Sequence, residues 1–245
     1  MLAPVFYGVR DLGTADGAPG PVRVFFPSLD GAVFDAPILE GCSRYPLVIF
    51  CHGHCSQDAE HYKKWFEIPA ELARSGYVVA VPLLPQVGGG THPSGADGDL
   101  ALLGALAAWM RTGWEHAAVL LPEPATGVFG HSFGALLAGR FAASGNVAAY
   151  ASLSGVWQDW PDSNRPIQSL RIPKLFTWGD DLLDLFASLD SGGLWGTIPV
   201  TKHKAVFAGA AHWDYLRAGR TACATARGDC DLVRLVASDL LCTFF

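Results

Sequence analysis

The 245-residue chain predicts an α/β fold: a central, mostly parallel, twisted sheet of about eight strands, antiparallel at its N-terminal part, with helices on both faces and no large lid. Three observations predict it. Half of the residues are apolar, enough for a substantial core. From residue 46 onward, short apolar runs alternate with helical patterns, the ordering of parallel strands joined by crossover helices. Ahead of these lie two extended runs with Gly- and Pro-containing turns between them, which makes the sheet mixed. No linker, internal repeat or low-complexity tract interrupts the pattern, so residues 1–245 read as a single domain.

Val5 to Arg10 and Val22 to Pro27 form the leading hairpin or meander. Pro46-Leu47-Val48-Ile49-Phe50-Cys51 is a buried-strand run that ends at His52-Gly53. The helix after it is framed by Pro69 near its start and Gly76 just past its end. Tyr77 to Val81 is the next strand, Leu100 to Arg111 a helix rich in Leu and Ala, Thr126 to Phe129 a short strand, and Ala135 to Ser144 a helix stopped by Gly145. Val147 to Leu153, Ile172 to Trp178 and Lys204 to Phe207 are further strands, and Leu232, Leu235, Val236 and Leu240 mark a last amphipathic helix.

Composition excludes several classes of function. The formal net charge is −6 and the basic residues are scattered, with Lys202-His203-Lys204 the densest short cluster, so nucleic acid is not an expected partner. Apolar stretches such as Leu100 to Met110 stop short of the roughly 18 residues that a membrane span requires. Met1-Leu2-Ala3-Pro4 opens no secretory signal, although a mature domain released from a longer precursor would look the same, and secretion is the expectation in that case. Six cysteines are too few for a disulfide scaffold, while Cys223 and Cys230 are close enough in sequence to bridge a small loop. Cys51-His52-Gly53-His54-Cys55 offers four metal-ligand types in five residues, but no second cluster supplies a distant arm and alternate strand residues face opposite ways, so no metal site is expected.

The chemistry centres on Gly130-His131-Ser132-Phe133-Gly134, which follows a predicted strand and precedes a predicted helix. That context makes the pattern a nucleophile elbow: the turn strains Ser132, and glycines two residues to either side remove side chains that would collide with strand and helix. A serine hydroxyl is a poor nucleophile at neutral pH, so it requires a general base and an acid to orient that base. At such elbows the partners follow in the order acid, then histidine, each past the end of a later strand. His212, in Gly209-Ala210-Ala211-His212-Trp213, stands where the base belongs, whereas His203 precedes the last strand and points to the opposite sheet edge. For the acid, Asp180, Asp181 and Asp184 follow the strand Lys174 to Gly179; Asp181 is favoured, with Asp180 available to cap a short helix. Backbone N–H groups of Phe133, after the nucleophile, and His54, after an earlier strand, are the expected oxyanion donors, and His52 and His54 otherwise read as loop braces.

At these residues, from about 46 to the C-terminus, the chain resembles the α/β-hydrolase superfamily. Cys51-His52-Gly53-His54, Gly130-His131-Ser132-Phe133-Gly134 and Ala211-His212-Trp213 resemble the group containing chlorophyllases, platelet-activating-factor acetylhydrolase-like enzymes and cutinase-like polyester hydrolases. Ala135 stands where several of those relatives carry another glycine. The resemblance implies a serine carboxylic ester hydrolase that works without metal or organic cofactor through an acyl-enzyme on Ser132; a monomer is the default expectation. Its activity should fall as His212 takes up a proton. The segment between residues 153 and 172 is short and carries Trp157 and Trp160, and with Trp213 and Trp195 these are expected to edge an open site for an aromatic, extended or polymeric ester. Acyl transfer to another alcohol and amide hydrolysis are alternatives on the same residues, and a catalytically silent binding module on this fold is a further one.

Overall fold

In the computed structural model, the described residues are 6–31, 33–40, 44–56, 58–157, 166–180, 184, 188–190, 193–215 and 230–245. All eight strands belong to one sheet: β1 (Phe6–Leu12), β2 (Val22–Ser28), β3 (Leu47–Cys51), β4 (Val78–Pro82), β5 (Thr126–His131), β6 (Ala149–Leu153), β7 (Lys174–Gly179) and β8 (Lys202–Phe207). Their spatial order is β1-β2-β4-β3-β5-β6-β7-β8. β1 pairs antiparallel with β2 and β2 with β4; every other neighbour is parallel. The mixed sheet expected from the sequence is therefore observed, and the antiparallel part is confined to the leading hairpin.

The central strands are apolar on both faces because both are covered. Along β3, Leu47, Ile49 and Cys51 enter one core with Val24, Ala80 and Val128, while Val48 and Phe50 enter the other with Phe25, Val79 and Phe129. Helices α1 (Glu67–Arg74), α2 (Pro85–Gly88), α3 (Asp97–Thr112), α4 (Phe133–Ala143), α5 (Leu194–Thr197) and α6 (Cys230–Phe244) complete the described layers. α3 and α4 fill the first core through residues such as Leu103, Leu106, Leu136 and Leu137; α1 and α6 fill the second through Ile68, Leu72, Ala237 and Leu241.

Two sequence expectations shift. The last helix buries Val233, Ala237 and Leu241, and Leu235, expected on its apolar stripe, is exposed. Apolar residues surround enough of this helix that spacing alone leaves its rotation undetermined. β8 begins at Lys202, so His203 lies within the strand, level with Leu175 of β7, and not ahead of it. Among the described residues no helix is long and apolar enough to cross a membrane. Cys223 lies outside the described residues, so the Cys223–Cys230 pairing has no counterpart here.

Candidate active site

β5 ends at His131 and α4 begins at Phe133, so a single residue reverses the chain. Ser132 does so at φ 55° and ψ −126°, a conformation costly to any residue with a side chain. Neighbours hold it there: Ser132 N–H donates to the Leu153 carbonyl at 3.1 Å, and the Ser132 carbonyl accepts from Ala135 N–H at 3.0 Å. The flanking glycines are sterically required. A Cβ on Gly130 would stand 2.3 Å from the Gly134 carbonyl oxygen, and one on Gly134 would stand 2.0 Å from that of Cys51. Gly53, after β3, packs so closely that its Cβ would lie 2.8 Å from the Ser132 Cβ, which brings the His54 loop against the elbow. Phe133 N–H belongs to the first turn of α4, where backbone donors lack intrahelical acceptors and the helix dipole favours negative charge.

His212 follows β8 and is 5% exposed. Its Nδ1 lies 2.8 Å from Asp184 Oδ1; an ionised carboxylate only accepts, so Nδ1 carries the proton and Nε2 keeps the lone pair a general base needs. Asp181, favoured from the sequence, lies outside the described residues, and the carboxylate in contact with His212 is Asp184, further along the loop after β7. Asp180 instead accepts Gly209 N–H at 2.7 Å, bracing the base's loop. Asp184 is fully buried, and its Oδ2 accepts from Ser154 Oγ at 2.7 Å and from Gly179 N–H. A Cβ on Gly179 would meet the Ala210 carbonyl oxygen at 2.1 Å, so this glycine lets the acid and base loops close together.

Behind the base lies His131, which sequence reasoning passed over. Its ring centroid is 4.7 Å from that of His212, and its Nε2 donates to the His212 carbonyl at 2.7 Å, fixing the loop that carries the base. Burial pushes the His131 imidazole well below its usual range, so the ring stays neutral, with Nδ1 lacking a hydrogen-bond partner among the described residues. Ser154 was missed as well. The rule that site residues stand just past strand ends, applied to β6, would have found it.

His52 acts as the expected brace: its Nε2 accepts Leu84 N–H at 2.9 Å, so Nδ1 holds the proton and donates to the Gly53 carbonyl at 2.9 Å. Burial lowers its pKa to about 4, and His61 is likewise lowered to about 4. The distant metal arm that the sequence lacked is supplied in space by His61, since ligand atoms of His52, Cys55 and His61 lie within 4.8 Å of one another. Both His52 nitrogens are already committed, however, and His61 Nε2 accepts Trp65 Nε1–H at 3.3 Å. A cation there would have to displace the buried Leu84 N–H, so the cluster reads as a hydrogen-bonded brace. The His54 side chain is exposed and borders Gly90.

The tryptophans separate. Trp157, expected at the substrate edge, is 1% exposed, packs on Phe176 and donates Nε1–H to Ser152 at 3.3 Å; it is a core residue because its indole fills the apolar cluster that α4 also enters. Trp160 lies outside the described residues. Trp195 is half-buried on Phe176, with the Lys202 and Lys204 ammonium groups over its ring. Trp213 is 39% exposed, with its ring 5.0 Å from that of His212.

Comparison with known proteins bears on this geometry. Residues 46–202 match the family model described as alpha/beta hydrolase fold. No curated protein matches the chain by sequence. Among solved structures, it is similar to a ferulic acid esterase from Streptomyces cinnamoneus (15% identity, TM-score 0.70, covering 100% of this chain and 89% of that one). It is also similar to a dienelactone hydrolase from Anabaena variabilis (17%, 0.60, 97% and 98%). A third is a Xanthomonas campestris protein described as a serine hydrolase without lid (21%, 0.53, 85% and 86%). The family match spans more than half of the chain, and the eight-stranded sheet carries a strained serine between β5 and α4: the protein belongs to the α/β-hydrolase fold family.

Proposed function

We propose that this hydrolase is a serine carboxylic ester hydrolase with Ser132 as nucleophile, His212 as general base and Asp184 as the orienting acid. The observation that carries this reading is the 2.8 Å bond from buried His212 Nδ1 to buried Asp184, which leaves Nε2 as the basic nitrogen, on a loop that His131, the residue before the elbow serine, holds through the His212 carbonyl. His212 Nε2 takes the Ser132 proton as Oγ attacks the ester carbonyl. The oxyanion is held by the N–H groups of Phe133 and His54, and helix α4 adds the favourable end of its dipole. Protonated His212 then delivers its proton to the leaving alcohol, releasing it and the acyl-enzyme. Water, deprotonated by the same nitrogen, attacks that ester, and collapse of the second tetrahedral intermediate returns the proton to Ser132 and frees the acid.

For the acyl group, the exposed ring of Trp213 beside His212 and the Phe133 ring, 5.7 Å from that of His92, supply flat apolar surface near the reacting atoms. They support an aromatic acyl ester, in free or polymeric form, in keeping with the similarity to a ferulic acid esterase. The motifs around Ser132 and His212 support a place near the cutinase-like polyester hydrolases. A fluorophosphonate probe tests the core of the reading: it should label the wild-type protein stoichiometrically and leave Ser132→Ala unlabelled. Labelling that survives Ser132→Ala would refute it. Acid released from an aromatic ester, with no transfer to added alcohol, separates hydrolysis from acyl transfer.

A further inference from the structure

We propose that Ser154 is a positioning residue for the acid: its hydroxyl holds the Asp184 carboxylate from behind and keeps it aimed at His212. This inference rests on the triad reading above.

Ser154 directly follows β6 at φ 46°, outside the comfortable range of a residue with a side chain, and its N–H donates to the Thr177 carbonyl of β7 at 2.7 Å. Its backbone is thus pinned to the strand that leads into Asp184. Its Oγ is 2.7 Å from Asp184 Oδ2. Because an ionised carboxylate has no proton to offer, the serine must direct its only proton at Asp184, and its lone pairs are left to accept. The Tyr215 hydroxyl lies 3.3 Å from Thr177 Oγ1, whose other partner is the Ser152 carbonyl at 3.4 Å.

Ser154 and Asp184 are fully buried, and Thr177 and Tyr215 beside them are 2% exposed. A carboxylate removed from water at this depth loses most of its hydration, and buried donors must take the place of that water. Ser154 Oγ and Gly179 N–H replace that hydration. The titratable groups facing Asp184 are His212 and Tyr215, with His131 against His212 and Asp214 acting on Tyr215. Tyr215 lies three residues after His212, and its contact with Thr177 ties that loop to β7.

Ser154→Gly is the informative variant, because glycine accepts φ 46° and removes the hydroxyl together with its single methylene. Initial rates on a soluble ester, measured from pH 5 to 9, should show kcat/KM reduced by about 10- to 100-fold, the size expected for one lost hydrogen bond to a charged group. The acid-limb midpoint should rise, because a carboxylate with fewer donors attracts the proton on His212 more strongly. KM should change little. Ser154→Ala, which loses only the hydroxyl, should move rate and midpoint in the same direction. A merely structural serine would leave the midpoint in place; unchanged midpoints in both variants, or Ser154→Gly within twofold of wild type, would overturn the proposal. If Ser154→Gly fails to fold by thermal melting, Ser154→Ala decides alone. Fluorophosphonate labelling run in parallel separates the two levels: loss of Ser132-dependent labelling in the wild type sinks the triad reading, while intact labelling with unmoved midpoints sinks only this one.

Discussion

Replacing Asp184 by asparagine gives the most discriminating test of the acid, because the structure dictates which way the amide must point. Oδ2 of Asp184 accepts from Gly179 N–H, a backbone donor that cannot rotate away, and from Ser154 Oγ. The asparagine carbonyl must take that position, or a buried N–H would face an NH₂ group at a cost of roughly 1–3 kcal/mol. The NH₂ then occupies the Oδ1 position, 2.8 Å from His212 Nδ1, and donates to it. His212 is driven into the tautomer protonated on Nε2, the nitrogen that must accept the Ser132 proton. The expected loss in kcat is roughly three to four orders of magnitude, with KM and the thermal midpoint nearly unchanged. Steady-state kinetics of Asp184→Asn beside Asp181→Asn and Asp180→Asn, with melting curves for each, make the measurement. Asp181→Asn should keep nearly full activity. If Asp184→Asn retained more than a tenth of wild-type kcat while Asp181→Asn lost it, the acid assignment and the tautomer reasoning would both be wrong.

Two further predictions concern stability and substrate. Trp157→Ala should destabilise the fold by about 3–5 kcal/mol in urea, because the side chain is buried and bonded to Ser152, whereas Trp213→Ala should leave stability nearly intact and raise KM more for aromatic than for short aliphatic esters. Equal KM effects on both ester types would remove Trp213 from the acyl site. Burial lowers His52 from 6.5 to about 4, so between those pH values the unfolded chain binds a proton that the folded chain refuses. Stability should hold above pH 7 and decline from about pH 6.5 to 4 by up to about 3 kcal/mol from His52 alone, with His61 adding in the same direction. Urea midpoints constant from pH 7 to 4.5 would contradict the neutral, buried assignment.

The fold was legible because the strand runs are apolar on both faces and punctuated by glycine and proline, signals that survive without tertiary information. Leu47 to Cys51 reads as a strand wherever it occurs, and the spacing to the next run leaves room only for a crossover helix. The orientation of α6 was not legible: its apolar residues cover too much of the circumference, and which of them face the sheet is settled by Phe25, Val48 and Phe129 opposite, far away in sequence. The same limit applied to Trp157. Composition cannot distinguish an aromatic residue that rims a site from one that fills a gap beneath it, since both follow a strand end.

Within the site, legibility followed the strictness of the local constraint. Ser132 was identifiable because its turn admits only glycine at positions 130 and 134, where any Cβ would collide with backbone. The acid carries no such local requirement. Three aspartates follow β7 within five residues, and each could cap a turn; what distinguishes Asp184 is that only a carboxylate supplied with donors can remain charged at zero exposure. Those donors come from elsewhere: Gly179 at the end of β7 and Ser154 at the end of β6. The acid is thus specified by the neighbours that solvate it more than by its own distance from a strand end. A search for this acid in a new sequence should therefore ask which candidate a hydroxyl at the end of the preceding strand can reach. Ser154, directly after Leu153, was that signal.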